Sequence, residues 1–408
     1  MSFLPAARIN QKSRGCRPSS WLTSPAAETK APSAGGAVPR RNRFAFLCAT
    51  LASMTTMLHG YNQTLMSGAQ LFMREDVGLS DGEVEVLAGS MNVFMLTSIL
   101  AAGWVADRLG RRRTLVLANA FLMAGALAMS LGSTYPALMA ARFVTSLGAG
   151  FARVVAPFYN AEISPASSRG VLSSLVDIFI NVGMLLSYVS NYAFAGLPAH
   201  LGWRVMFAMG VIPPVFIAAG VFFMPESPRW LAMRGRHGDA RAVLVRTSDT
   251  PAEADLRLAE IKQAVADAAA AQQQQAASHG GGGGGGVWTE LLRPSPSVRR
   301  ILTCAIGLQF FVQASGVDAI LLYNPLVFKA VGVASDSAAI GATVAIGAVK
   351  TCFILVGMFL TDRVGRRLLL LASTAGVAVT TASLALTLRL AAGGGVPGVG
   401  AGRTQHLL

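Results

Sequence analysis

Asp107-Arg108-Leu109-Gly110-Arg111-Arg112 is the stretch that decides the fold, because it occurs again as Asp362-Arg363-Val364-Gly365-Arg366-Arg367. Each copy directly follows a long apolar segment, the first at 86–106 and the second at 338–361. A motif that returns at the same place in two apolar series predicts the duplication of a helical unit. We therefore expect two related helix bundles.

The composition is typical of a protein embedded in lipid. Hydrophobic residues make up 53% of the 408 residues and charged residues only 13%, and the mean hydropathy is +0.51. Soluble domains have a different balance. The net charge of +14 would suit nucleic-acid binding, but the basic residues cluster between apolar segments and so act as topology signals. We predict a bilayer environment and no nucleic-acid partner.

Nine apolar segments are long enough to cross a bilayer as helices, which takes about 20 residues each. Inside lipid only helices and closed barrels satisfy the backbone polar groups, and the alternating pattern of barrel strands is absent from the sequence. The sequence thus predicts an all-α integral membrane protein. The predicted spans are 44–69, 86–106, 114–133, 137–159, 171–193, 205–224, 301–323, 338–361 and 368–390.

Basic residues in the short loops predict the orientation of these spans. Arg111, Arg112 and Arg113 follow the second span, and Arg366 and Arg367 follow the eighth. Because cytoplasmic loops are enriched in Lys and Arg, the even-numbered spans should end in the cytoplasm. The amino terminus should then lie on the cytoplasmic side as well.

The polar stretches divide the chain into five predicted parts. Residues before the first span carry eight Lys or Arg against one Glu, which predicts a disordered tail, with an organelle transit peptide as the alternative. The parts are a basic cytoplasmic tail at 1–43, a first six-helix bundle at 44–224, a cytoplasmic linker at 225–300, the first three helices of the second bundle at 301–390 and a Gly-rich tail at 391–408.

The linker and the second bundle lead to two further expectations. An amphipathic helix is predicted near 251–271, followed by a flexible tether at Gln272 to Gln275 and Gly280 to Gly286. If the two bundles share one plan, the second needs six spans, whereas three precede the Gly-rich tail. We expect about nine helices of a set of twelve, with the second bundle truncated.

Two motifs together indicate a family. The repeated stretch resembles the cytoplasmic signature of the major facilitator superfamily, at both of its usual places. Pro225-Glu226-Ser227-Pro228-Arg229-Trp230, directly after the sixth span, resembles the signature of the sugar porter family. Met66-Ser67-Gly68-Ala69, Ala161-Glu162-Ile163-Ser164-Pro165 and Ser190-Asn191-Tyr192-Ala193-Phe194 are similar to plant polyol and monosaccharide transporters. The resemblance covers about 44–390 and implies the major facilitator fold.

The resemblance also implies a cytoplasmic gate network of ion pairs. Glu162 and Arg169 match the family in the loop after the fourth span, and Asp107 or Asp362 would hold the neighbouring half by charge-assisted bonds. The alternative is that these charges only anchor loops in the cytoplasm. The expected members are Gly103, Asp107, Arg108, Gly110, Arg111, Arg112, Glu162, Arg169, Glu226, Arg229, Asp362, Arg363, Gly365, Arg366 and Arg367.

A central cavity that binds a sugar or polyol is the next implication of the resemblance. Gln309 and Gln313 share a helix face, and amides offer the donors and acceptors that a polyol needs; simple contacts between helices are the alternative. Asp177 stands where relatives carry Glu or Gln, and an acid at membrane depth is a functional-site hypothesis by itself. The other expected residues are Asp318, Tyr323, Asn324 and Val312, the last of which replaces a Gln of the family.

Besides Val312, two residues depart from the family pattern at membrane depth, Asn62 and Arg153. Asn62 replaces the Asp that proton-coupled relatives carry, and with Arg142 it forms the expected coupling position. Because an amide does not titrate, we predict that protons are not coupled in the usual way. Arg153 stands where relatives have small or apolar residues, and burying it requires a carboxylate such as Asp177. Lys350 matches plant relatives and is expected to pair within the bundle.

The resulting functional prediction is movement of a monosaccharide or polyol across a membrane by alternating access. The alternative is a non-transporting sugar sensor or an inactive, truncated relative. The five histidines are scattered without ligand spacing, so we expect no metal, no cofactor, no catalytic residues and no enzyme activity. The resemblance favours the plasma membrane, and the basic tail keeps a vacuolar or plastid membrane open.

Overall fold

The computed structural model describes residues 42–278, 296–314, 316 and 336–393, and these are almost entirely helical. No strand occurs in this part of the chain, which confirms the all-α prediction. A 3₁₀ turn, Ala166–Ser168, joins α4 to α5. The helices are α1 (Arg43–Val77), α2 (Asp81–Leu109), α3 (Arg111–Leu131), α4 (Tyr135–Ile163), α5 (Arg169–Phe194), α6 (Ala199–Met209), α7 (Ile212–Phe222), α8 (Pro228–Met233), α9 (His237–Thr247), α10 (Pro251–Ser278), α11 (Pro296–Ala314), α12 (Asp336–Val364) and α13 (Arg366–Gly393).

Six stretches of the described residues are long and apolar enough to cross a membrane. One of them consists of α6 and α7, which are separated by a break at Gly210 and Val211. The prediction of a multi-pass helical membrane protein is thereby confirmed, whereas the count of nine spans stays a prediction. The six stretches are Asp81–Leu109, Arg111–Leu131, Tyr135–Ile163, Arg169–Phe194, Ala199–Phe222 and Ile340–Met358.

The first helix, α1, is less apolar than these six because protein, rather than lipid, surrounds it. Of its 35 residues, 20 are buried, and many of the buried ones are polar. Asn119 of α3 donates a hydrogen bond to the hydroxyl of Thr55 at 3.2 Å, and Arg142 of α4 donates to the carbonyl of Asn62 at 3.3 Å. A helix held by such contacts inside a bundle does not need an apolar surface.

Parallel packing of α1 against α5 forms the centre of the first bundle. Thr56 Oγ1 donates to the carbonyl of Val176 at 3.2 Å. One turn further along both helices, a Cβ atom on Gly60 would stand 2.1 Å from the carbonyl oxygen of Ile180. Small residues therefore let the two backbones touch, as is common between membrane helices.

The described part of the second bundle contacts the first through α12 and α5, which run antiparallel. Gly347 lies directly on the ring of Tyr188, and the amino group of Lys350 lies 3.5 Å from the sulfur of Met184. Met184 and Tyr188 are four residues apart and so share one face of α5. This face of α5 is therefore the one that turns towards the second half of the molecule.

The two copies of the repeated motif adopt the same backbone geometry. Gly110 separates α2 from α3 with φ of +96°, and Gly365 separates α12 from α13 with φ of +89°. Only glycine enters this region without strain. The common helix–glycine–helix geometry supports the predicted duplication.

The linker packs three helices, α8 to α10, around a small apolar cluster that includes Leu231, Leu244 and Leu258. Helix α10 covers the predicted amphipathic stretch, but it also continues through Gln272 to Gln275 to Ser278, where the sequence predicts a tether. Ala and Gln are good helix formers, so the helix has no local reason to end there. Gly280 to Gly286, the tail before residue 42 and the tail after residue 393 lie outside the described residues, and the division into five parts stays a prediction.

Candidate functional site

Arg111 is the centre of a buried ion-pair network at one end of the first bundle. Its Nε and Nη2 donate to the two carboxylate oxygens of Glu162 at 3.1 and 3.3 Å. Its Nη1 lies 3.0 Å from Asp107 Oδ1. Only 9% of the Arg111 side chain and 12% of the Glu162 side chain are exposed. Two-pronged bonds of this kind fix orientation, so the turn between α2 and α3 is held to the end of α4.

Glu226 connects the second motif to the first. Its Oε1 accepts hydrogen bonds from the backbone N–H groups of Arg112 and Ser227, each at 3.0 Å. The carboxylate thus sits at the amino-terminal end of α3, where the helix dipole favours a negative charge. A Cβ atom on Gly110 would stand 2.4 Å from Glu226 Oε2, so the glycine makes room for this contact. Ser227 Oγ also donates to Glu162.

Other expected members of the network have different surroundings. Arg108 stacks on the Trp104 ring at 4.3 Å, and Gly103 has open space around it. Arg169 and Arg229 form no ion pair with a described residue. In the second copy Arg367 is exposed. The side chains of Asp362, Arg363 and Arg366 lie outside what the structure describes, so bonds from the second copy stay a prediction.

Arg257 of α10 fastens the linker to the same place and was missed from sequence. Its guanidinium donates to the carbonyls of Glu162 at 3.2 Å and Ser164 at 2.9 Å, and to Ser248 Oγ at 3.1 Å. Burial lowers the pKa of Arg257 from its ordinary value, but an arginine remains charged at any physiological pH. A signal was present, since Arg257 lies beside Leu258 on the apolar face of an amphipathic helix.

Asn42 fixes the start of α1 to the linker. Its side-chain oxygen accepts from the N–H groups of Phe44 and Ala45, both at 3.1 Å, which caps the helix. Its amide nitrogen donates to the carbonyls of Arg246 at 2.9 Å and Ser248 at 3.0 Å. The linker therefore contacts the beginning of α1 as well as the end of α4.

At membrane depth the structure brings Asn62 and Arg142 together, as the sequence predicts. Each is 1% exposed. Arg142 Nη1 donates to the backbone carbonyl of Asn62 at 3.3 Å, while the Asn62 amide donates to the carbonyl of Leu58 at 2.9 Å. Among the described residues, Arg142 Nε and Nη2 and Asn62 Oδ1 have no hydrogen-bond partner. No described carboxylate forms an ion pair with Arg142.

Arg142 and Arg153 share one face of α4, the face that turns towards α1, since they are eleven residues apart. Unlike Arg142, Arg153 has a side chain that the described residues leave exposed, so the pairing that its burial would require stays a prediction. It projects into space that the described helices leave open. Asp177 on α5 is also exposed and lies close enough to Arg153 for electrostatic attraction, without an ion pair within 4 Å.

The predicted polar series on the seventh span is described only in part. Gln309, Val312 and Gln313 lie on α11 with exposed side chains, and the two glutamines share a face, being four residues apart. Asp318, Tyr323 and Asn324 lie outside the described residues. The role of this series in binding stays a prediction.

Comparisons with known proteins agree with this architecture. Residues 48–401 match the family described as "Sugar (and other) transporter". The chain is 50% identical over 354 residues to Polyol transporter 5 of Arabidopsis thaliana, covering 86% of this chain and 66% of that protein. It is 49% identical over 350 residues to Putative polyol transporter 1 of the same plant, covering 85% and 68%. The chain thus spans about two thirds of the length of these relatives.

Solved structures of a bacterial carrier have the same fold. The proton:xylose symporter XylE bound to 6-bromo-6-deoxy-D-glucose matches with a TM-score of 0.67 and 25% identity, covering 80% of this chain and 70% of that one. The partially occluded, inward-open xylose transporter XylE from E. coli gives a TM-score of 0.65 at 22% identity, covering 79% and 74%.

These matches agree with the two motifs, the duplicated glycine turn and the helical membrane fold. The relatives are transporters, which confirms the prediction that the protein is not an enzyme. The chain belongs to the sugar transporter family of the major facilitator superfamily.

Proposed function

We propose that this chain moves a monosaccharide or polyol across a membrane by alternating access, in which two helix bundles rock about a site near the midplane. The observation that carries the proposal is the network of Arg111, Glu162, Ser227 and Glu226. It joins the two family motifs through buried charge-assisted bonds at a single end of the first bundle. The names of the plant relatives support a polyol, and the bacterial neighbour supports a monosaccharide.

The substrate site would lie between α1, α4 and α5 on one side and α11 and α12 on the other. Asp177 lies on the α5 face that turns towards α12, and the amides of Gln309 and Gln313 supply donors and acceptors on α11. Neither these contacts nor the relatives favour the non-transporting alternative. The plasma membrane is the proposed location.

Transport would not be coupled to protons through residue 62, where proton-coupled relatives carry Asp. A coupling group must gain and lose a proton, and Asn62 cannot do so. The neighbouring Arg142 has no carboxylate partner among the described residues that could take this role. The proposed mode is therefore downhill exchange of substrate along its own gradient.

Uptake of radiolabelled glucitol, inositol, xylose and glucose into cells that lack their own carriers tests this proposal. Expression of the chain is expected to give saturable uptake of at least one of these compounds. Charge reversal at Glu162, written Glu162→Lys, breaks the network and should reduce that uptake, whereas Arg113→Leu, on the exposed face of α3, serves as the matched control. If no compound enters above the background of control cells while the chain is present in the membrane, the proposal is wrong.

A further inference from the structure

Contacts between α5 and α12 hold the two described halves of the molecule together. They begin near the end of α5 that lies opposite the Arg111 network, which the basic loops predict to be the outer side. From there they advance along the two helices in opposite directions, as antiparallel packing requires. We name these contacts the seam, and its pairs are Tyr192 with Gly341, Tyr188 with Gly347 and Met184 with Lys350.

The tightest pair of the seam is Tyr188 on Gly347. A Cβ atom on Gly347 would stand 2.7 Å from Cδ2 and 3.1 Å from Cε2 of the tyrosine ring. Carbon atoms attract one another at about 3.5 Å or more, so no side chain fits between this ring and the backbone of α12. Tyr188 is 1% exposed, so its ring is enclosed and does not turn aside into solvent. Only glycine at position 347 therefore lets the two helices approach this closely.

Ile340 extends the seam into the apolar core of the first bundle. It is 1% exposed and belongs to the same apolar cluster as Met66, Phe72 and Trp203. A residue of the second half thus packs among side chains of α1 and α6. The outer part of the seam is therefore closed in this structure.

The inner part of the same α5 face has different surroundings. The contacts described between α5 and α12 end at Met184 and Lys350. Asp177 lies seven residues from Met184, which is about 10 Å further along the same face of α5. The described residues leave the Asp177 side chain exposed. The seam thus covers the outer part of this face, and its inner part is uncovered among the described residues.

We propose that the seating of the Tyr188 ring on Gly347 is an outer gate, which is closed in this structure and opens when the carrier faces the outside. This inference rests on the proposed function, because alternating access requires the outer contacts between the two halves to break in each cycle. A ring on a glycine suits this role, since the glycine has no polar side-chain atom that loses a partner when the ring leaves.

Reaction of introduced thiols with a maleimide measures whether the gate is open. Ile340→Cys places a thiol in the closed outer part of the seam, and Asp177→Cys, in a second sample, places one in the uncovered inner part. Both are made in the full chain, purified in detergent without substrate. Three native cysteines are first replaced by serine, because two of them are exposed, whereas Cys48 is buried. The three are Cys16, Cys304 and Cys352.

Gly347→Leu fills the space that the Tyr188 ring occupies. We expect it to raise the labelling rate of Ile340→Cys about tenfold, because overpacking shifts an equilibrium by roughly that factor, and to lower the labelling rate of Asp177→Cys as the inner part closes. Tyr188→Ala removes the ring instead of expelling it and is expected to shift both rates in the same directions. Gly376→Leu on α13 is the matched control, because nothing lies within 4 Å of its Cβ position.

Opposite changes at the two labelled positions support the gate. Unchanged labelling of Ile340→Cys in both Gly347→Leu and Tyr188→Ala overturns it. Faster labelling at both positions together also overturns it, because that result shows loosening of the fold instead of reciprocal movement. Tyr188→Ala decides the question where Gly347→Leu does not accumulate. Labelling needs no substrate, so unchanged rates refute the gate alone, whereas absence of saturable uptake refutes the proposed function.

Discussion

At the scale of single residues, the duplicated motif allows two equivalent glycine turns within one chain to be compared. Gly110 and Gly365 have nearly the same positive φ, but among the side chains that the structure describes a carboxylate lies only beside Gly110. A Cβ atom on Gly365 would meet no described atom within 4 Å. Substitutions at these two glycines therefore separate the effect of backbone strain from the effect of losing a contact.

Gly110→Ala is expected to destabilise the protein more than Gly365→Ala does. Both variants bear the strain of a positive φ, about 1–3 kcal/mol. The first also forces the carboxylate of Glu226 away from the amino-terminal end of α3, which adds about 1 kcal/mol. Thermal unfolding of the detergent-solubilised protein measures the difference, and equal midpoints for the two variants would contradict the role given to Glu226.

Glu162→Gln is expected to lower stability by about 1–3 kcal/mol, because it leaves the buried guanidinium of Arg111 with Asp107 as its one carboxylate partner among the described residues. The shape of the side chain is kept, so the change reports charge rather than packing. Glu75→Gln, an exposed carboxylate near the other end of the bundle, is the control. A midpoint that does not move for Glu162→Gln would mean that the ion pair contributes nothing to the folded state.

At the scale of helices, the contact between α1 and α5 depends on glycines that let backbone touch backbone. Gly60 faces the carbonyl of Ile180, and Gly183 faces the carbonyl of Met57, with Cβ positions only 2.1 and 2.0 Å from those oxygens. Neither carbonyl belongs to a flexible side chain that can rotate away. The two helices would have to separate to admit a methyl group.

Gly60→Ala should therefore destabilise the first bundle by about 1–3 kcal/mol through overpacking. Gly89→Ala on α2 is the matched control, because nothing lies within 4 Å of its Cβ position and alanine favours a helix. Thermal unfolding in detergent measures both. The packing described for α1 and α5 would be refuted if the two variants melted at the same temperature.

The linker gives the second prediction at this scale. Arg257→Ala removes the donors to Glu162 and Ser164, which should release α10 from the first bundle and increase cleavage by trypsin at sites in α9 and α10. Lys262→Ala, on the exposed part of the same helix, is the control. An unchanged cleavage rate at the remaining sites would show that Arg257 does not hold the linker.

At the scale of the whole molecule, Asn62 and Arg142, which forms no ion pair with a described carboxylate, lead to a prediction about energy coupling. Purified protein in liposomes is expected to exchange substrate down its gradient, and an imposed pH gradient should not drive accumulation above equilibrium. Asn62→Asp places a titratable group beside Arg142 and is the informative comparison. Accumulation by the unaltered protein under a proton gradient would contradict the prediction.

Sequence reasoning recovered the elements that depend on local composition. The predicted span 171–193 became α5 at Arg169–Phe194, and the glycine of each motif separates two helices as expected. Apolar segments and glycines in turns can be predicted from one short stretch of sequence at a time. The family followed from motifs of the same local kind.

Features that depend on the third dimension were not predictable. Arg257 looks like one more surface charge until α10 packs against the end of α4, and the exposure of Arg153 depends on which helices flank α4. The tether predicted at Gln272 to Gln275 failed for another reason, because low complexity was given more weight than helix propensity.

The buried, polar character of α1 affects how the protein is made. A segment rich in Ser, Thr, Asn and Gln partitions weakly from the translocation channel into lipid by itself. Its partners α4 and α5 are synthesised about 100 residues later, which takes about 5 to 20 seconds at usual elongation rates. We therefore expect stable membrane insertion of α1 to require the later synthesis of α4 and α5.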